Sequence, residues 1–149
     1  GLPTVAALTQ AILTLRKLGK EEEVDIVVMG GIREGGDIAK CIALGARAVA
    51  LGTACLVAVG CQSCMLCPTG RCPVGITTHE PEITARFDVD QAAENLSNFL
   101  TALTAEVQMI ARACGKVRAQ NLEPEDMRAL SIQTSTTTKV ALAGSDKVY

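Results

Sequence analysis

The sequence has almost no aromatic residues. Among 149 positions only Phe87, Phe99 and Tyr149 carry a ring of that kind, tryptophan is absent, and His79 is the single histidine. A nucleic-acid surface built on stacking platforms is thereby excluded, and at a net charge of −2 no block of Lys or Arg offsets the loss. Long apolar runs are lacking too. The longest, Ala48 to Gly60, is interrupted by two glycines and a threonine, well short of the roughly 20 residues of a membrane span. No basic stretch leads into an apolar one as a secretory signal would. Seven cysteines without such a signal point to a reducing compartment. The expectation is a cytoplasmic protein with neither membrane nor nucleic acid as partner. The first residue is Gly1 rather than methionine, which favours an excerpt of a longer chain.

Small aliphatics supply the core instead, and their spacing organises the chain. Val5, Leu8, Ile12 and Leu15 recur at helical intervals after Pro3-Thr4, and Lys17, Gly19 and Lys20 suit a helix end. Val24 to Met29 reads as a buried strand. The glycine-rich loop Gly30 to Gly36 follows, then a helix from Asp37 to Gly45 and a second strand, Ala48 to Leu51. Helix, strand, helix, strand is the rhythm of a parallel α/β sheet or barrel. Further on, Asp88 or Asp90 caps a long helix with Leu96, Phe99, Leu100, Leu103, Val107, Ile110, Ala111 and Cys114 on one face, and Gly115 ends it. Glu123-Pro124-Glu125 opens a short helix reaching Leu130. Ser131 to Lys139, rich in threonine and without periodicity, reads as loop or disordered tail.

Four of the seven cysteines fall within twelve residues, as Cys61-x2-Cys64-x2-Cys67-x4-Cys72, and Pro73 follows. A [4Fe–4S] cube takes one thiolate per iron, and the bacterial ferredoxin run C-x2-C-x2-C-x3-C-P differs from this one by a single residue. Gly60, Pro68, Gly70, Pro73 and Gly75 provide the turns that wrapping a compact cluster requires. A zinc knot also uses C-x2-C pairs, usually with a longer loop between them. Structural or free thiols are the third reading. Cys41, Cys55 and Cys114 lie on apolar faces and read as small core residues.

Gly30-Gly31 and Gly52-Thr53 each sit where a strand hands over to a helix. Glycine lets backbone N–H groups approach a phosphate closely, and in a (β/α)8 barrel the loops after the last two strands often do so. Tight βα turns explain the same glycines equally well. His79 has no acid–base partner in view and reads as a surface residue near the cysteine arm. Arg33 can face a phosphate or a carboxylate, and Arg71 can offset negative charge beside Cys72.

These motifs together resemble the glutamate synthase family, in the synthase domain of its large subunit, over roughly residues 1 to 130. The resemblance rests on Gly30-Gly31-Ile32-Arg33-Glu34-Gly35-Gly36-Asp37, on Leu51-Gly52-Thr53-Ala54, and on the cysteine run leading into Cys72-Pro73-Val74-Gly75-Ile76. It implies the C-terminal portion of an FMN-binding (β/α)8 TIM barrel with a cysteine-rich iron–sulfur arm and a helical C-terminal extension. Residues 1–60 would be the last βα units, 61–80 the cluster segment, 81–130 the helical extension and 131–149 a tail. By this likeness Gly30, Gly31, Gly52 and Thr53 hold the FMN phosphate, and Cys61, Cys67 and Cys72 bind a [3Fe–4S] cluster. Cys64 is additional to that pattern. It is either a fourth ligand, making the cluster [4Fe–4S], or a bystander in a turn.

The activity so implied is reductive synthesis of L-glutamate from 2-oxoglutarate and ammonia released from glutamine. Electrons would come from a reductase subunit or ferredoxin through the iron–sulfur cluster to FMN. Two strands are legible where a barrel needs eight. The partners implied are therefore the remainder of the barrel and a glutaminase part, and this segment alone is expected to be inactive. Three other readings remain. A subunit of methylamine–glutamate N-methyltransferase would share barrel, FMN and cluster. An IMP dehydrogenase-like barrel would not need the cysteine run. A non-catalytic metal-binding module would hold zinc and no flavin.

Overall fold

Two short parallel strands anchor the fold, and apolar side chains on both sides of the helix between them explain why. The computed structural model describes residues 1–149. Strand β1 (Val27–Met29) pairs in parallel with β2 (Ala48–Ala50), Val28 opposite Val49, and helix α2 (Gly35–Ala43) is the crossover. By its contacts the chain divides into two units, Gly1–Leu51 with Thr104–Tyr149, and Gly52–Leu103.

In the first unit, helix α1 (Thr4–Leu18) follows Pro3 and stops where Gly19 turns left-handed at φ 61°. The Gly19 and Lys20 amides donate back to Arg16 and Leu15, closing the last turn. Leu8 of α1, Val28 of β1, Ile32, Cys41 of α2, Leu44 and Ala46 form the core, joined by Ala129 and Val140 from near the C-terminus. Each buried Leu or Val contributes about 1.5–3 kcal/mol relative to exposure. A second cluster sets Ala39 and Ala43 of α2 against Ala111 and Leu122.

The second unit begins with helix α3 (Thr53–Ala58), continues through the cysteine segment, and includes helix α4 (Pro81–Thr84). Helix α5 (Val89–Ala113), which belongs to this unit as far as Leu103 and to the first unit from Thr104 on, opens with Asp88, whose Oδ1 accepts from the Gln91 amide at 3.0 Å, a side-chain N-cap. Gly115, at φ 72°, follows its end. Leu103, Val107 and Ala111 are buried along the expected stripe, while Leu100 is 40% exposed.

The structure departs from the sequence reading in four places. The strand expected from Val24 is formed from Val27, and it is not buried throughout: Val28 is covered, but Val27 and Met29 are 62% and 71% exposed. Helix α2 starts at Gly35, two residues before Asp37. The helix expected from Glu123 to Leu130 is one 3₁₀ turn, Pro124–Asp126. Ser131 to Lys139, expected as loop or tail, contains helix α6 (Ile132–Thr138). Its start is capped by Ser131, whose Oγ accepts from the Thr134 amide at 3.1 Å. The wholly buried Ser135 donates from its Oγ to the Val140 carbonyl at 2.7 Å.

Candidate functional site

Within the first unit, the loop after β1 has an open part and a closed part. Gly30 and Gly31 leave the strand at φ 125° and 71°, conformations that a side chain rarely tolerates. Thr4 Oγ1 donates to the Gly30 carbonyl at 2.9 Å, and a Cβ on Gly30 would stand 3.2 Å from that hydroxyl oxygen. At Gly31 a Cβ would meet nothing within 4 Å. The closed part begins at Arg33. Its amide donates to Asp37 Oδ2 at 3.1 Å, and Lys40 Nζ pairs with Asp37 Oδ1 at 2.8 Å. Burial works to raise the Asp37 carboxyl, but the Lys40 hydrogen bond and the Arg33 amide prevail and leave it below its usual value. The Gly35 amide donates to Glu106 Oε2 at 2.6 Å. Arg33 therefore contributes its backbone to this turn, and the Lys40 cation answers the Asp37 carboxylate.

Gly52 and Thr53 follow β2 by one residue and open α3, in the second unit. Both are exposed, and a Cβ on Gly52 would meet nothing within 4 Å.

The cysteine segment also belongs to the second unit, and it starts from the end of α3. The Gly60 amide donates to Val57 and the Cys61 amide to Leu56, with Gly60 left-handed at φ 101°. This paired closure is a Schellman motif, and it sets the direction in which Cys61 leaves the helix. The Ser63 amide then points back to Cys61 Sγ at 3.4 Å. Ser63 and Met65, on either side of Cys64, both take positive φ, 53° and 60°. For residues with a side chain this costs on the order of 1 kcal/mol each. A 3₁₀ turn, Cys67–Thr69, ends at the left-handed Gly70.

Cys72 is the covered member of the four, at 4% exposure. The Thr77 backbone amide pulls its thiol down most strongly, and burial works in the other direction. With the Val74 and Ile76 amides and the Thr77 side chain added, the thiol lies at about 7. Cys61 is half-buried, while Cys64 and Cys67 are exposed, and all four are free thiols. They are not drawn together as a coordinating set: no group of three or more His, Cys, Asp or Glu side chains is arranged to hold a metal ion. Gly75, buried at φ 85°, lets the Cys72 loop press against Ile83 and Phe87. His79 and Arg71 are exposed. Among the remaining cysteines, Cys41 is fully buried in the core and burial raises its thiol, whereas Cys55 and Cys114 are half-buried.

The conserved region of glutamate synthase matches residues 1–117. The chain belongs to the glutamate synthase family. It is 44% identical over 97% of its length to a glutamate synthase large subunit-like protein of Rhizobium meliloti, covering 36% of that protein. It is 35% identical over 91% of its length to an archaeal glutamate synthase [NADPH] of Methanocaldococcus jannaschii, covering 29% of it. A ferredoxin-dependent glutamate synthase of Pyropia yezoensis is 33% identical over 77% of the chain, which covers 7% of that protein. The chain thus spans about a third of the length of the first two of these curated relatives. No solved structure matches it. Within the family frame the fold here is a partial α/β unit with two parallel strands. No helix is long and apolar enough to cross a membrane.

The Glu106 contact with Gly35 escaped the sequence reading. A lone glutamate on an amphipathic helix carries no pattern that distinguishes it from its solvated neighbours.

Proposed function

We propose that this chain is the flavin-and-cluster end of a glutamate synthase, the last two βα units of its TIM barrel with the iron–sulfur arm behind them. The enzyme would make L-glutamate reductively from 2-oxoglutarate and ammonia drawn from glutamine. When bound, an iron–sulfur cluster would supply one-electron relay and FMN the hydride chemistry.

The observation that carries this reading is the run of four free thiols from Cys61 to Cys72 inside the stretch that matches the conserved region of glutamate synthase. N–H donors that stabilise a thiolate are what a sulfur ligand of an iron–sulfur cluster needs, since hydrogen bonds to sulfur tune such centres. Cys61 has such a donor in the Ser63 amide, 3.4 Å from its Sγ. All the candidate ligands, Cys61, Cys64, Cys67 and Cys72, are thiols with no disulfide among them, so their chemistry suits an iron–sulfur cluster, although their side chains are not gathered around one point. The open space at Gly31 leaves room for an approaching phosphate, and by the family resemblance Gly30, Gly31, Gly52 and Thr53 would be its holders. The role of these residues is to bind and orient. None is placed to move a proton for the amination, so the substrate-side groups would come from the rest of the barrel and the ammonia from a glutaminase part. A reductase subunit or ferredoxin would be the electron-donating partner, and the cytoplasm the compartment.

A second reading has one observation behind it. The 44% identical relative is named only large subunit-like, which suits a glutamate synthase-like subunit acting on another amine, such as that of methylamine–glutamate N-methyltransferase.

Anaerobic iron and acid-labile sulfide analysis of the full protein, with flavin analysis, tests the proposal. Iron, sulfide and FMN together are expected. Zinc without sulfide and without flavin would replace it with a structural metal knot. Turnover with methylamine but not with ammonia would select the second reading.

A further inference from the structure

The loop from Gly30 to Gly36 contains two glycine pairs, and either could receive a phosphate if only glycine content were considered. Helix α2, nine residues long, begins at the second pair, where its first amides would normally be the better anion site. That position is already taken. Glu106 of α5, 71 residues away in sequence, accepts from the Gly35 amide with Oε2 at 2.6 Å. The fit leaves no room for another residue type: a Cβ on Gly35 would stand 2.7 Å from both the Cβ and the Oε2 of Glu106. Gly35 is buried and Glu106 half-buried. The chain's own cap residue, Glu34, makes no side-chain capping bond, so the carboxylate from α5 fills that role.

We infer that Glu106 is a positioning residue for the cofactor loop, an internal carboxylate that closes the start of α2 and leaves Gly30–Gly31 as the loop's anion-accepting part. The inference rests on the FMN reading of this loop, and it adds which of the two glycine pairs is available and what holds it in place. Two anchors fix the loop. Thr4 Oγ1 holds the Gly30 carbonyl at one end, and Glu106 holds the Gly35 amide at the other. Between them the Gly31 side stays open. A second anion at Gly35 would have to displace a carboxylate already hydrogen-bonded there, and like charges at that spacing repel.

The test uses the full protein with two substitutions, Glu106→Ala and Glu106→Gln, and two readouts. FMN affinity is measured by flavin fluorescence, and exchange of the Gly35 and Gly36 amides by hydrogen–deuterium mass spectrometry. A charge-assisted hydrogen bond is lost in the alanine variant, so its FMN affinity should fall by about tenfold. Glutamine keeps an acceptor oxygen and should recover most of that affinity. Amide exchange should be faster in the alanine variant and close to wild type in the glutamine variant. Unchanged FMN affinity in both variants would overturn the positioning role. A glutamine variant as impaired as alanine would do the same. If the wild-type protein binds no FMN, the flavin reading itself falls, and the exchange measurement alone then decides whether Glu106 orders the loop. A Glu106→Ala protein that fails to fold leaves the Glu106→Gln result to decide by the same criteria.

Discussion

Gly75 lies directly against Phe87. A Cβ on Gly75 would stand 3.1 Å from the Phe87 Cβ and 3.0 Å from the Ile83 carbonyl oxygen, and the backbone there is left-handed at φ 85°. The tail of the cysteine motif therefore needs glycine for two separate reasons, conformation and space. Gly75→Ala should destabilise the protein by about 1–3 kcal/mol, combining strain with overpacking. It should also loosen the amides that follow Gly75 around Cys72. Thermal unfolding and iron content measured on the same variant check both effects. A variant as stable as wild type with full iron would show that the loop relaxes without cost.

The Asp37 carboxylate, in the first turn of α2, joins the Arg33 amide of the preceding loop to Lys40 one turn on. Its folded value lies below the usual one because these partners outweigh burial. A depressed carboxyl stabilises the fold above the unfolded value, near 4, and loses that contribution as pH falls through the folded value. Asp37→Ala should therefore lower the melting temperature at pH 7, and the difference from wild type should shrink as the pH drops below about 4. A difference that stays constant down to pH 2 would assign the effect to packing rather than charge.

The elements that declared themselves in the sequence are those whose stability comes from apolar spacing. Helix α1 ends at Gly19 and α5 is followed by Gly115, because glycine supplies the left-handed turn that closes a helix. The parallel pairing of β1 with β2 follows from helix-strand alternation. Helix α6 was invisible for the opposite reason. Its covered residues, Ser135 and Thr138, are polar, and they are accommodated by hydrogen bonds to the Val140 and Thr134 carbonyls rather than by an apolar face. The early start of α2 was hidden because its cap comes from Glu106, far along the chain. The cysteine motif was legible as a spacing of four thiols that nominates candidate ligands. Its exposure pattern was not, since that depends on which loop amides face which sulfur.

Helix α6 offers a direct measure of how much a polar core position contributes. Ser135 is wholly buried, donates to the Val140 carbonyl at 2.7 Å and accepts from the Tyr149 amide at 3.2 Å. Ser135→Ala leaves both backbone groups without this partner and should cost about 1–3 kcal/mol. Ser131→Ala removes the N-cap, worth about 1 kcal/mol, and an exposed hydrogen bond with the Thr134 hydroxyl. Urea unfolding of both variants should rank them in that order. The reverse order would mean that water replaces the Ser135 hydroxyl at little cost.

Cys64 separates the two cluster types that the motif allows. It is exposed, yet the residues on either side of it, Ser63 and Met65, both hold positive φ. Strain of this kind persists where something over-determines the backbone, and it collects at functional sites. A turn that only connected Cys61 to Cys67 could use glycine there without cost. The expectation is that Cys64 is a ligand and the cluster has four irons. In that case the wild-type protein should be EPR-silent when oxidised and give a signal on dithionite reduction. Cys64→Ser should lower the iron content by about a quarter, one iron per thiolate lost, and bring a signal into the oxidised state. Cys72→Ser, which removes the one covered sulfur of the four, should lose most of the iron instead. If Cys64→Ser has wild-type iron content and the oxidised wild-type protein already shows the signal, the cluster has three irons and Cys64 does not bind one.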